Sequence, residues 1–120
     1  MADDDFQDFH TPTLEWLKSA ELDKRQALGQ YMTPRFLRTY LLEQLAPKPG
    51  DRVLDPAVGT GEFLRQALDA FPGIDVTGWD IDSGVLKIAK SLVPEAKLIC
   101  RSGLNTYDDE KFDFVIGNPP

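Results

Sequence analysis

The second half of the chain alternates between two patterns of apolar residues. Four short apolar runs are typical of strands buried in a parallel sheet. They span residues 52–55, 74–79, 96–100 and 112–116. Between them, apolar residues recur at helical spacing over residues 62–71 and again in a helix that Ser83 is expected to cap and that runs to about residue 92. Strands that alternate with helices in this way predict an α/β fold whose parallel sheet has right-handed crossovers, in a Rossmann-like arrangement.

A first helix is predicted near the N-terminus. The segment before it, residues 1–12, is acidic at its start and is expected to be frayed. Thr13 can cap a helix whose apolar face carries Trp16 and Leu17. We expect this helix to end just before Gly29.

A second helix is predicted after a non-helical connector, residues 29–34. Pro34 suits the first turn of this helix, and Thr33 is expected to be its cap. An apolar stripe at helical spacing is expected to face the core. It consists of Phe36, Leu37, Tyr40, Leu41 and Leu45.

The amino-acid composition limits the classes of protein to which the chain can belong. With 42% hydrophobic and 28% charged residues among 120, the chain has an ordinary globular composition. Its net charge of −7 is not that of a protein that grips phosphates over its whole surface. We find no secretory signal and no run long enough to span a membrane, so no membrane association is expected. The single cysteine, Cys100, favours a cytoplasmic protein and is expected to be buried in its strand.

Four segments that carry polar or glycine residues follow the predicted strands. They are residues 55–61, 80–82, 102–103 and 118–120. Open parallel sheets bind ligands at the carboxyl ends of their strands, so these segments are expected to meet at one site.

The turn after the first strand contains Gly59 and Gly61, which allow close backbone approach and positive φ. Leu64 stands where a dinucleotide-binding fingerprint requires a small residue, and the Lys of a phosphate-binding loop is absent. The carboxylate of Asp55 instead suits a cationic ligand, such as the amino group and sulfonium of S-adenosylmethionine. A tight turn that binds no ligand remains the alternative.

Asp80 ends the next strand, about 20 residues beyond the glycines, where an acid can accept both hydroxyl hydrogens of a ribose. Ile81 beside it can pack on an adenine ring. A solvated acid in a turn is the alternative interpretation of Asp80.

At this point the chain resembles a known family. Asp-Pro-Ala-Val-Gly-Thr-Gly-Glu-Phe-Leu at residues 55–64 resembles the cofactor motif of adenine-specific (N6) DNA methyltransferases of restriction–modification systems. Gly-Gln-Tyr-Met-Thr-Pro at residues 29–34 resembles a segment of type I modification subunits and fused type II enzymes. Gly-Asn-Pro-Pro at residues 117–120 resembles their catalytic motif. The resemblance covers residues 25–120, and the motif order is similar to the gamma arrangement.

The resemblance implies S-adenosylmethionine as the cofactor and assigns roles. Thr33 and Pro34 would line its methionine end, and Asp55, Ala57 and Gly59 would contact its amino-acid part. The candidate cofactor-binding residues are Tyr31, Thr33, Pro34, Asp55, Ala57, Gly59, Gly61, Phe63, Asp80, Ile81 and Ser102. The family usually has an Asp that contacts adenine where this chain has Ser102, so the chain departs from the family pattern at this position.

Asn118, Pro119 and Pro120 are the candidate catalytic residues. The amino nitrogen of adenine is a weak nucleophile because its lone pair delocalises into the ring. Acceptance of its hydrogens by the Asn118 side chain and the Pro119 carbonyl favours a pyramidal nitrogen. No metal is needed, and the target base is expected to leave the helix stack. A plain strand-ending turn is the alternative.

The sequence therefore predicts a partial methyltransferase fold with N-terminal helices. Residues 1–28 form an acidic segment and helix, and residues 29–120 form the first part of a catalytic domain that is inactive alone. Double-stranded DNA is the expected partner, largely through regions absent here, together with specificity and restriction subunits or fused domains. A protein glutamine methyltransferase and a non-catalytic cofactor-binding fragment are the alternatives.

Overall fold

The computed structural model of the protein describes residues 9–19, 33–102 and 111–117. Four helices and four strands lie within these ranges. They are α1 (Thr11–Ser19), α2 (Arg35–Leu45), β1 (Arg52–Asp55), α3 (Glu62–Ala70), β2 (Asp75–Asp80), α4 (Ser83–Leu92), β3 (Lys97–Cys100) and β4 (Phe114–Val115). Within these three ranges, none of the helices has both the length and the apolar character needed to cross a membrane.

The strands form one parallel sheet in the order β3-β2-β1-β4. Val53 of β1 lies between Val76 of β2 and Phe114 of β4. The chain moves outward from β1 to β3 and then crosses back, so that β4 lies on the other side of β1. The order reverses between β1 and β4, which is where open parallel sheets bind ligands. The parallel α/β sheet predicted from the sequence is confirmed.

The hydrophobic core lies between one face of the sheet and the helices. Val53 and Val76 contribute from the sheet, and Leu64 of α3 and Leu42 of α2 contribute from the helices. Gly78 lets the turn after β1 approach this face, because a Cβ at Gly78 would lie 2.7 Å from a methyl group of Val58. This packing holds the turn directly against β2.

Aromatic and cationic side chains contact one another along the sheet, from the starts of β1 and β4 to the ends of β2 and β3. The ring of Trp79 makes an edge contact with Phe112 at 6.1 Å, and the Arg101 guanidinium lies 4.2 Å from the Trp79 ring centre. Arg52 lies 5.2 Å from the Phe112 ring in the same way. Cation–π contacts of this kind stabilise the side chains against the sheet.

The predicted helix caps are wrong. Helix α1 begins at Thr11, so Thr13 lies inside it and is buried. Pro34 occupies the N-cap position of α2, without a side-chain hydrogen bond. The cap of α4 is Asp82, whose carboxylate accepts from two backbone N–H groups, and Ser83 is the first helical residue. A carboxylate one position earlier in the chain replaces the predicted hydroxyl cap.

The predicted apolar stripe of α2 is wrong at three of its five residues, whereas Leu41 and Leu45 pack against the core as predicted. Phe36 is 75% exposed, and Tyr40 and Leu37 are exposed as well. The buried residues are Leu42 and Arg38. Apolar residues occur on more than one side of this helix, so their spacing alone does not decide which side faces the core. The polar contacts of Arg38 with α3, described below, set the rotation.

Two further expectations are corrected. Phe9 is buried, so the end of the segment expected to fray is packed against the domain. Cys100 is exposed, because it is the last residue of β3, an edge strand whose side chains are at most half-buried. Residues 1–8 and the predicted remainder of the first helix lie outside the described residues.

Candidate functional site

Asp55 ends β1 with a carboxylate that is almost fully buried. Its Oδ1 accepts a hydrogen bond from the backbone N–H of Ala57 at 3.1 Å. Burial raises the pKa of Asp55 from 3.8 to about 7, against the lowering effect of the Ala57 hydrogen bond, and the nearby Asp80 raises it further. An ionised Asp55 is therefore destabilised until a positive charge approaches it.

The turn after β1 is fixed by backbone hydrogen bonds. The Val58 N–H donates to the Trp79 carbonyl at 2.8 Å, and the Gly61 N–H donates to the Val58 carbonyl at 3.0 Å. Gly59 and Gly61 have φ angles of 56° and 90°. Both angles favour glycine, as the sequence predicted.

Gly61 also serves packing between helices. A Cβ at this position would lie 3.0 Å from Val93 and 3.4 Å from Ala89. The start of α3 therefore packs closely on the end of α4. A direct contact of Gly61 with a cofactor stays a prediction, and this packing accounts for the glycine independently.

Asp80 connects the end of β2 to the turn. Its Oδ2 accepts from the Gly59 N–H at 3.0 Å, and its Oδ1 accepts from the Asp82 N–H at 2.9 Å. Each oxygen of a carboxylate offers two lone pairs, so one remains on each oxygen for a ligand. Asp80 is half-buried, so these lone pairs remain within reach of solvent.

Ile81 lies beside this carboxylate and is 74% exposed. The Cys100 thiol is 3.6 Å from the Ile81 carbonyl, and the Arg101 N–H donates to the Asp80 carbonyl at 2.9 Å. Ser102 follows on the same connection and is half-buried. An exposed apolar side chain next to a partly accessible carboxylate suits a ligand that has a flat ring joined to a sugar.

Gly117 brings the end of β4 to the same place. A Cβ at Gly117 would lie 2.5 Å from Oδ1 of Asp55, so its backbone passes directly over the carboxylate. The two strands that flank the reversal of order thus end in contact. Asn118, Pro119 and Pro120 follow Gly117 and lie outside the described residues.

The other predicted site residues are less closely connected. Thr33 and Pro34 precede α2, and the Pro34 carbonyl accepts from the N–H of Arg38. The Phe63 side chain is buried in the hydrophobic core. Tyr31 lies outside the described residues. The roles assigned to these residues stay predictions.

The described residues suit a cationic ligand. The carboxylates of Asp55 and Asp80 end two neighbouring strands, and the turn between them contains no basic residue. In the same turn, Thr60 is buried and its Oγ1 has no hydrogen-bond partner among the described residues. The set therefore offers carboxylate oxygens for an amino group and a diol, and one apolar side chain for a ring.

The sequence reasoning missed one contact beside the turn. Glu62 follows Gly61 and is buried, and its carboxylate accepts hydrogen bonds from His10. No local pattern signals this pair, because 52 positions separate the two residues.

Comparison with known families gives two matches. The sequence model of the family described as N-6 DNA methylase matches residues 3–73. That of a methyltransferase domain family matches residues 53–118. Each match covers more than half of the chain, and the two overlap at the glycine turn.

Curated relatives and solved structures agree with these families. Modification methylase CviBIII of Paramecium bursaria Chlorella virus NC1A is 29% identical over 112 residues, covering 90% of this chain and 30% of that protein. The methylase subunit of the Escherichia coli type I restriction enzyme EcoEI is 26% identical over 116 residues, covering 77% of this chain and 23% of that subunit. The chain thus spans less than a third of either relative.

A solved structure supports the fold. The S-adenosylmethionine-dependent methyltransferase of Thiobacillus denitrificans, in complex with S-adenosyl-L-homocysteine, is similar with a TM-score of 0.58 and 28% identity. The match covers 68% of this chain and 35% of that one. The Rossmann-like α/β fold predicted from the sequence is confirmed.

Proposed function

The chain belongs to the N-6 DNA methylase family, and from this we propose that it is part of an enzyme that methylates the N6 amino group of adenine in DNA. The methyl donor we propose is S-adenosylmethionine. Enzymes of this class in restriction–modification systems protect DNA at specific sequences. The complete activity is a proposal about a longer enzyme, because the chain spans less than a third of the relatives named above.

The contact between Gly117 and Asp55 carries this proposal. It joins the end of β4 to the end of β1, where the glycine turn begins. The predicted catalytic motif starts at the next residue, Asn118. A methyl donor held at the turn would therefore lie close to an amino group held by that motif.

The residues of the turn fit the proposed cofactor. Asp55 would accept a hydrogen bond from the amino group of the cofactor. Asp80 would accept from both ribose hydroxyls, using the lone pair on each oxygen that does not bind the N–H of Gly59 or Asp82. Ile81 would pack on the adenine ring. When bound, S-adenosylmethionine supplies a methyl group on a positively charged sulfur, which makes that carbon electrophilic.

The acceptor side follows from the chemistry of amines. The Asn118 side-chain oxygen and the Pro119 carbonyl would each accept one hydrogen of the adenine amino group. This arrangement turns the nitrogen lone pair out of the ring system and toward the methyl group. Adenine inside a duplex is stacked and paired, so the target base would be flipped out.

The partners of the longer enzyme are also part of the proposal. Double-stranded DNA is the substrate, contacted mainly by parts of the enzyme beyond this acidic chain. A specificity subunit, a restriction subunit or fused domains would complete the system, as the type I relative suggests. A cytoplasmic location accords with this role.

The decisive experiment uses the complete protein, duplex oligonucleotides and radiolabelled S-adenosylmethionine. Digestion and mass spectrometry should identify N6-methyladenine. Asn118→Ala should lower kcat at least about a hundredfold, with cofactor affinity unchanged by calorimetry. Gln44→Ala, which removes an exposed amide side chain from α2, is the matched control and should leave kcat within about twofold of wild type.

Two outcomes would overturn the proposal. Methylated glutamine in a protein substrate, with no methylated adenine, would make the chain part of a glutamine methyltransferase. Cofactor binding without transfer to DNA or protein would make it a binding module.

A further inference from the structure

We propose that His10 is a positioning residue of the cofactor site, acting through Glu62. Residues 9–19 would then belong to the working site even though they precede it by a long stretch of chain. This inference rests on the proposed function, because it concerns binding of S-adenosylmethionine at the glycine turn.

The contact between His10 and Glu62 is made by two pairs of atoms. The His10 backbone N–H donates to Oε1 of Glu62 at 2.6 Å, and Nδ1 of the His10 ring lies 2.8 Å from Oε2. A carboxylate only accepts, so Nδ1 carries the proton. Glu62 is 5% exposed, whereas His10 is about half exposed. The pair thus satisfies a buried carboxylate with donors from the surface.

The same two residues sit at the starts of two helices. Glu62 is the first residue of α3, and the His10 carbonyl accepts the first helical hydrogen bond of α1, from Leu14 at 3.1 Å. Negative charge is favourable at a helix N-terminus. The Glu62 carboxylate therefore stabilises the beginning of α1 as well as that of its own helix.

Phe9 makes a second contact between the N-terminal segment and the rest of the domain. It is buried, and the Arg38 guanidinium lies 5.4 Å from its ring centre. The Nε of Arg38 donates to the side-chain oxygen of Gln66 at 2.8 Å. Gln66 lies one turn beyond Glu62 on α3. Neighbouring residues of the N-terminal segment are thus connected to successive turns of the same helix.

The connection to the cofactor site is the peptide that joins Gly61 to Glu62. Gly61 ends the glycine turn with a φ of 90°, and its carbonyl accepts from the Arg65 N–H at 2.9 Å. Without the His10 side chain, Oε1 of Glu62 keeps its backbone donor, but Oε2 of this buried carboxylate loses its donor, which is costly. The carboxylate would turn toward water and pull on the first turn of α3. The Gly59 N–H would then move away from the position set by Asp80.

The test measures binding and turnover separately in the complete enzyme. His10→Ala should raise the Kd for S-adenosylmethionine about tenfold. At saturating cofactor, kcat should stay within about twofold of wild type, because the acceptor motif is not altered. His10→Asn should restore most of the affinity, because its amide can donate to Glu62 in place of Nδ1. Glu15→Ala, on the exposed side of α1, is the matched control.

A double-mutant cycle tests whether His10 acts on cofactor binding through Glu62. Glu62→Ala combined with His10→Ala should weaken binding no more than the stronger single variant. Independent effects that multiply would overturn the inference, as would an unchanged Kd for His10→Ala below its unfolding temperature. Equal loss in His10→Ala and His10→Asn would also overturn it. Calorimetry measures cofactor binding in the absence of DNA. A failure to methylate DNA would therefore refute the proposed function without affecting this test of His10.

Discussion

The carboxylate of Asp80 accepts a hydrogen bond from the backbone N–H of Gly59 at 3.0 Å, which ties the end of β2 to the turn after β1. The same carboxylate accepts from Asp82 at 2.9 Å. Asp80 thus has a structural role in the turn and a proposed role in holding a ribose. These two roles can be separated by experiment.

Asp80→Ala should weaken binding of S-adenosylmethionine at least about a hundredfold, because two charge-assisted hydrogen bonds to the ribose are lost. Isothermal titration calorimetry measures the change. Asp75→Ala removes an exposed acid at the other end of the same strand and should leave the Kd unchanged.

A deoxyribose analogue of S-adenosylhomocysteine separates the two roles of Asp80. The wild type should bind this analogue more weakly than the parent compound, whereas Asp80→Ala should bind both equally. Equal discrimination by wild type and variant would assign the loss of affinity to the displaced turn and refute the ribose contact.

The cap of α4 gives a second prediction. Asp82→Ala should lower the free energy of unfolding by about 1 kcal/mol, because the N–H groups of Gly84 and Val85 lose their acceptor. Ser83→Ala should change it by less than about 0.5 kcal/mol. Denaturant unfolding of both variants provides the measurement, and a larger effect at Ser83 would contradict the assigned cap.

The sequence predicted the strand ends and the turn because these depend on short-range chemistry. A carboxylate that ends an apolar run, as at Asp55 and Asp80, marks the edge of a parallel sheet. Glycine spacing likewise predicted the positive φ angles of Gly59 and Gly61. Parallel pairing then brings the two strand ends together without further information.

Features that depend on distant residues were not predictable in the same way. Arg38 sets the rotation of α2 through its contacts with Phe9 and Gln66. Both of these residues are far from Arg38 in the sequence. The burial of Glu62 by His10 is a similar case. Helical periodicity locates an apolar face only when polar residues mark its borders. In α2 the apolar and polar residues are interleaved around the helix, so more than one face could be taken as the inward one.

Gly78 provides a prediction about packing under the turn. A Cβ there would lie 2.7 Å from Val58 Cγ2 and 3.0 Å from Leu98 Cδ2. Gly78→Ala should therefore lower the free energy of unfolding by about 1–3 kcal/mol through overpacking. Denaturant titration of the complete protein measures this loss.

Two further variants test the cause. Val58→Ala in the Gly78→Ala background removes the Cγ2 contact but leaves the Cβ of residue 58 at 2.8 Å, so it should recover only part of the loss. Gly84→Ala is the control for replacing a glycine at an exposed position. Its Cβ would meet only the movable Asp82 side chain, at 3.1 Å from Oδ1, so its effect should stay below about 1 kcal/mol. If the double variant lost more free energy of unfolding than Gly78→Ala and Val58→Ala lose together, the clash would not be the cause.

Burial raises the pKa of Asp55 to about 7, and this gives a prediction about pH in the unliganded protein. The unfolded chain releases this proton near pH 3.8, whereas the folded chain retains it until about pH 7. The folded state thus binds more protons between these values, so the contribution of Asp55 to stability falls as pH rises from about 4 to 7. Asp55→Asn should remove this part of the pH dependence, measured as the change of Tm with pH.

Cofactor binding should show the opposite dependence on pH, because a cationic ligand favours the ionised Asp55. The affinity for S-adenosylmethionine should increase about tenfold from pH 6 to pH 8, with release of a proton near pH 7. Calorimetry in buffers of different ionisation enthalpy measures that proton. Asp55→Asn should bind more weakly and lose the proton release near pH 7, whereas Asp75→Ala should behave as wild type. Proton release retained in Asp55→Asn would assign the titration to another group and remove Asp55 from the ligand contact.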